Sequence, residues 1–86
     1  MIRKQTVQLL NLKSYTKTSC NDLYSEINKK YKSLSDFESD LKANNDDPET
    51  LNKLWWVLNY HSEMLDQSRK LRAIVETKLD TLAESS

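Results

Sequence analysis

The 86-residue sequence contains no glycine, one proline and one cysteine. Glycine supplies the positive φ angles and close backbone approaches of tight hairpins, phosphate-binding loops and dinucleotide-binding turns, so its absence argues against those folds. A single cysteine forms no internal disulfide. No apolar run approaches the ~18 residues that span a bilayer, so we expect no membrane insertion. These absences leave an all-α protein as the expected fold class.

Apolar residues are scarce, at 37% of the chain, against the ~45% that is usual for globular proteins. Basic and acidic residues number 13 each, with the bases concentrated in residues 1–35 and the acids in 36–49. Nucleic-acid binding would need a basic face with a reading helix or stacking aromatics, whereas the aromatics here lie in apolar stripes, so we expect no nucleic-acid binding. A core this thin favours a protein that is completed by a partner.

The strongest local signal is a turn at residues 44–49. Asn44 or Asn45 is expected to take the left-handed conformation that ends a helix. Asp47 is expected to cap the next helix, with Pro48 at its first position, where a missing N–H costs nothing. This pattern predicts two helices joined at the turn.

We predict helices over about 20–43 and 48–83, forming a coiled-coil-like helical hairpin that spans 20–86. A weak capping signal at Ser19 marks the start of the first helix. Residues 1–19 are expected to form an N-terminal segment and linker, in which 3–13 make a short helix or arm. That arm is expected to cover the end of the longer helix, around residues 74–82.

Each predicted helix carries an apolar stripe at helical spacing, which indicates the packing surface between them. We expect these residues to pack the hairpin: Tyr24, Ile27, Tyr31, Leu34, Leu41, Leu51, Leu54, Trp55, Leu58, His61 and Leu65.

The second helix has a further apolar face that one narrow partner stripe cannot cover. Adjacent tryptophans at 55 and 56 point about 100° apart, so the first helix buries only one of them. Aromatic residues and Met are enriched at protein interfaces. We therefore expect the second face to contact another chain, in a homo- or hetero-oligomer, or a folded-back N-terminal segment. The expected partner interface is Trp56, Tyr60, Met64, Leu71 and Ile74.

The sequence offers no constellation for catalysis. His61 lies among leucines with no ligand or base spacing around it, and Cys20 begins an apolar stripe. The acids near residue 47 lack the alternating ligands and central Gly of a calcium loop. We therefore predict no catalytic, cofactor-binding or metal-binding residues and no enzymatic activity.

From residue 41 to residue 82, the chain resembles the needle subunits and small co-chaperones of bacterial type III secretion systems. The matching features are Leu41-Lys42, the turn Asp46-Asp47-Pro48-Glu49-Thr50-Leu51, then Leu54, Trp56-Val57-Leu58 and Ser62, and the apolar series Leu65, Leu71, Ile74, Val75, Leu79 and Leu82. The resemblance implies a helical hairpin that binds helical protein partners. It implies either a cytoplasmic bacterial co-chaperone of the needle subunit or an exported needle-like subunit. The alternative from the residues alone is a coiled-coil subunit of another assembly, such as a trafficking or kinetochore complex.

Overall fold

The computed structural model describes residues 2–44, 47–61 and 65–85, with only the backbone at 65–67. These residues form α-helices and no strand, which confirms the all-α class. None of these helices is long and apolar enough to cross a lipid bilayer. The helices are α1 (Lys4–Leu10), α2 (Lys17–Lys30), α3 (Leu34–Ala43), α4 (Pro48–Tyr60) and α5 (Leu65–Glu84).

The start of α4 is the predicted one. The Asp47 carboxylate accepts a hydrogen bond from the backbone N–H of Thr50 at 2.8 Å, and Pro48 opens the helix. Asn44 differs from the prediction, because its φ of −101° is extended rather than left-handed; Asn45 lies outside the described residues. The end of α3 is held instead by Lys78, whose Nζ donates to the backbone carbonyls of residues 41 and 44.

The helix predicted over 20–43 is interrupted. It begins three residues before the expected position, at a Thr16 side chain that accepts from the backbone N–H of Ser19 at 3.2 Å. It leaves helical geometry at Tyr31, with φ −113° and ψ 132°. The Ser33 hydroxyl then caps α3, accepting from the N–H of Asp36 at 3.2 Å. The apolar spacing continues across the break, which is why periodicity alone predicted one helix.

The helix predicted over 48–83 is also interrupted, and α5 turns back along α4. Trp55 Nε1 donates to Glu76 Oε1 at 2.9 Å, and Arg72 donates to Asn59 Oδ1 at 3.1 Å. In one straight helix, residues 21 positions apart would be separated by about 31 Å. The order of these contacts makes α4 and α5 an antiparallel pair, so the two apolar faces of this region largely cover each other.

The core lies between α5 and its neighbours. α5 packs against α4, α3 and α1, and α2 packs against α4. The described chain measures 34 × 27 × 20 Å, whereas a straight 36-residue helix would be about 54 Å long. The second apolar face that the sequence indicated is thus covered mainly by other helices of the same chain. The buried cluster consists of Phe37, Leu41, Leu51, Leu54, Leu58, Leu71, Val75 and Leu79.

Candidate functional site

An aromatic surface lies along α4, formed by Trp55, Trp56 and Tyr60. The Trp55 and Trp56 rings meet edge to face, with centroids 5.1 Å apart and planes at 80°. The Tyr60 ring lies 5.8 Å from that of Trp56, tilted by 35°. All three side chains are only half-buried. Tryptophan and tyrosine are among the residue types that most often carry binding energy in protein interfaces.

Three side chains on α4 donate hydrogen bonds to the backbone of the N-terminal segment. Asn52 Nδ2 and Trp56 Nε1 both donate to the carbonyl of Lys13, at 2.8 and 3.1 Å. The Tyr60 hydroxyl donates to the carbonyl of Tyr15 at 2.6 Å. The donors are spaced four residues apart, so they lie on one face of the helix. We call Asn52, Trp56 and Tyr60 the carbonyl clasp.

The N-terminal arm, residues 2–15, reaches the clasp because α1 stops abruptly. Asn11 has φ 53° and ψ 49°, the left-handed conformation, and ends the helix there. The N–H of Leu12 bonds back to the carbonyl of Val7 at 3.0 Å. Asn is one of the few residues that take this conformation at low cost. The chain beyond Asn11 then continues without regular structure along α4.

The other end of the arm is anchored to α5. Thr6, 1% exposed, donates its hydroxyl proton to Asp80 Oδ1 at 2.6 Å. The Arg3 guanidinium lies 3.2 Å from Asp80 and 3.1 Å from Glu84. Hydrogen bonds to Glu84 and then to Asp80 raise the pKa of Arg3 above its ordinary value. α1 therefore packs against the C-terminal half of α5, where residues 3–13 were expected to lie.

The residues that were expected to form the partner interface lie in different parts of the structure. Trp56 and Tyr60 lie on the aromatic surface and contact the arm. Leu71 was expected at the partner interface, and that prediction is wrong. Its side chain is 2% exposed and belongs to the core, because α5 turns back along α4 and brings it inside. Ile74 is half-buried against that core. Met64 lies outside the described residues.

Most of the expected hairpin-packing residues are in or against the core, although the helices that carry them are arranged differently. Trp55 is half-buried beside Glu76, and the side chain of Leu65 lies outside what the structure describes. The Tyr24 ring stacks on that of His61, which is a contact between two of the expected packing residues. The residues in the core cluster are Leu41, Leu51, Leu54 and Leu58, and those packed against it include Ile27, Tyr31 and Leu34.

The polar groups that chemistry would need do not converge within the described part of the chain. The His61 ring stacks on Tyr24 with centroids 3.7 Å apart and planes at 6°. Ser68 donates to the backbone carbonyl of His61 rather than to its ring. Burial raises the pKa of the Cys20 thiol, which disfavours the reactive thiolate. Among the described residues, no three His, Cys, Asp or Glu side chains group as metal ligands.

Comparison with known proteins adds no relative. No protein-family model, no curated protein and no solved structure matches this chain.

The sequence analysis missed Asn52, which is 2% exposed although it is polar. Its spacing from the two aromatic residues was a usable signal. Asn, Trp and Tyr all carry a side-chain donor, and a run of them at i, i+4 and i+8 presents three donors on one helix face. The sequence did not indicate where the acceptors lie, because they are backbone carbonyls of a distant segment.

Proposed function

We propose that this chain is a non-enzymatic interaction protein that binds a helical protein partner through the aromatic surface of α4. The observation that carries the proposal is the half-exposed set of Trp55, Trp56 and Tyr60, in contact with one another and partly covered by the arm. Half-exposed tryptophan and tyrosine at a helix surface are the side chains most often found at the energetic centre of an interface.

The more specific proposal is a type III secretion component, a bacterial cytoplasmic co-chaperone of the needle subunit. Its support is the resemblance over residues 41–82. A partner helix would bury the aromatic surface of α4 after the arm moves aside.

The test is co-purification of the chain with a type III secretion needle subunit from the same organism. We expect Trp56→Ala to weaken binding about 30-fold or more, as truncation of a central interface tryptophan typically does. Thr77→Ala is the control, since Thr77 is exposed on α5 and its hydroxyl bonds within its own helix. Circular dichroism checks that both variants keep their helix content.

Equal binding by the Trp56→Ala and Thr77→Ala variants would refute the aromatic surface as the interface. Absence of binding to the needle subunit, together with Trp56-dependent binding to another helical protein, would refute the secretion assignment alone.

A further inference from the structure

A groove separates α3 from α5 on the surface of the molecule. The two helices lie side by side and run in the same direction, since Lys70 approaches Glu38 and Lys78 reaches the end of α3. The groove has a volume of about 440 Å³, and a smaller cavity of about 200 Å³ continues it toward the start of α3. Within the described chain, the residues that line both belong to α3 and α5, and none belongs to α4 or to the N-terminal arm.

The floor of the groove is apolar. Ile74 lies half-buried against the core, and Leu34 and Leu71 line the smaller cavity. Ala73 is exposed beside Ile74, and its single methyl group leaves room for another chain to approach. From residue 70 to residue 78 the helix rises about 12 Å, which is slightly more than two turns. A groove of this length accepts one face of a further helix, with apolar residues three or four positions apart.

The rim of the groove carries more positive than negative charge. Lys42 on α3 and Lys70 on α5 have side chains that are 61% and 71% exposed, and their ammonium groups lie 3.9 and 3.8 Å from the same oxygen, Oε1 of Glu38. These distances exceed those of a hydrogen bond, so two lysines share one carboxylate and neither is fixed by it. Lys78 adds a third positive charge at the end of α3. The rim therefore favours a partner that brings carboxylates.

We propose that the groove between α3 and α5 binds an acidic amphipathic helix of a partner protein. The apolar residues of that helix lie on Ala73 and Ile74, and its flanking carboxylates pair with Lys42 and Lys70. The apolar floor favours a polypeptide over a nucleic acid, whose phosphates would leave the floor uncovered. This surface goes beyond the proposed function, because the aromatic surface of α4 contributes no residue to it.

The probe is a synthetic stapled helix of about four turns, with leucine along one face and glutamate elsewhere. It is titrated into the ¹⁵N-labelled full chain and followed by NMR. We expect amide shifts in residues 38–42 and 70–78, and none when lysine replaces every glutamate of the peptide. Lys42→Gln/Lys70→Gln should weaken binding about 5-fold, the usual size for two exposed ion pairs. Ala73→Gln should weaken it more than about 10-fold, because the longer side chain occupies the floor of the groove.

The matched control is Lys17→Gln/Lys29→Gln, which removes the same two charges from exposed positions on α2 and should leave binding unchanged. Trp56→Ala should also leave it unchanged, which separates the groove from the aromatic surface. Equal binding of the acidic and basic peptides, or binding that ignores Ala73→Gln, overturns the proposal. Amide shifts on α4 in place of the groove, or no shifts at about 1 mM peptide, overturn it as well.

Discussion

Leu79 and Leu9 are the same residue type in opposite settings, 0% and 55% exposed. Leu79 lies on α5 in the core cluster, where truncation removes apolar contacts and leaves a cavity. We expect Leu79→Ala to lower the free energy of unfolding by about 2–5 kcal/mol. Leu9→Ala should change it by no more than about 0.5 kcal/mol, because Leu9 is already largely hydrated. Urea denaturation measures both, and similar losses for the two variants would contradict the described core.

The Asp47 cap predicts a dependence on pH. The backbone N–H of Thr50 is the main cause that holds the pKa of Asp47 below its ordinary value. A carboxylate with a lowered folded-state pKa stabilises the fold above its unfolded pKa, and the contribution is lost as pH falls through the folded pKa. We expect Asp47→Ala to lower the thermal midpoint at pH 7 and to lose this effect at pH values well below 4, where the native carboxyl is protonated.

Thermal unfolding by circular dichroism across this pH range makes the comparison. Asp47→Ser is the control, since a serine hydroxyl caps a helix without an ionisable group. A deficit of Asp47→Ala that stays the same at low pH would contradict the role of the charged cap.

At the scale of elements, the sequence predicted what local chemistry determines and missed what packing determines. The start of α4 was predictable because Asp47 and Pro48 act within one turn of the helix. The breaks after Lys30 and Tyr60 were not, because the apolar spacing continues through both and neither contains Gly or Pro. Ser33, with Asp36 three residues later, is a weak capping signal that the prediction of one continuous helix did not use. The carbonyl clasp was equally hidden, since its acceptors lie 39 to 45 positions away in sequence.

The anchoring of α1 to α5 predicts a local effect for Thr6→Val. Valine keeps the shape of Thr6 but loses the hydrogen bond to the Asp80 carboxylate. A hydrogen bond to a charged group contributes about 1.5–3 kcal/mol, so α1 should open more often. Hydrogen exchange should accelerate at the amides of α1, while those of α4 stay protected. Thr77→Val is the control, and faster exchange spread evenly over all helices would argue against a separately opening arm.

The whole molecule is compact because its apolar faces cover one another. The radius of gyration over Cα atoms is 12.3 Å, close to the ~12 Å expected for a globular domain of this length. Small-angle X-ray scattering on the monomer should therefore give a globular profile. A maximum dimension of about 50 Å or more, the length of a continuous helix over 48–83, would contradict the fold described here.

The central claim is that the chain's own N-terminal arm covers the aromatic surface of α4, and proton NMR tests it directly. The chain has only two tryptophans, so its indole N–H signals are readily assigned. We predict nuclear Overhauser contacts from the Trp56 indole N–H to protons of Lys13 and Ser14, at concentrations where the protein is monomeric. A Trp56 indole N–H that exchanges freely with water and shows no contact to residues 12–16 would contradict the claim.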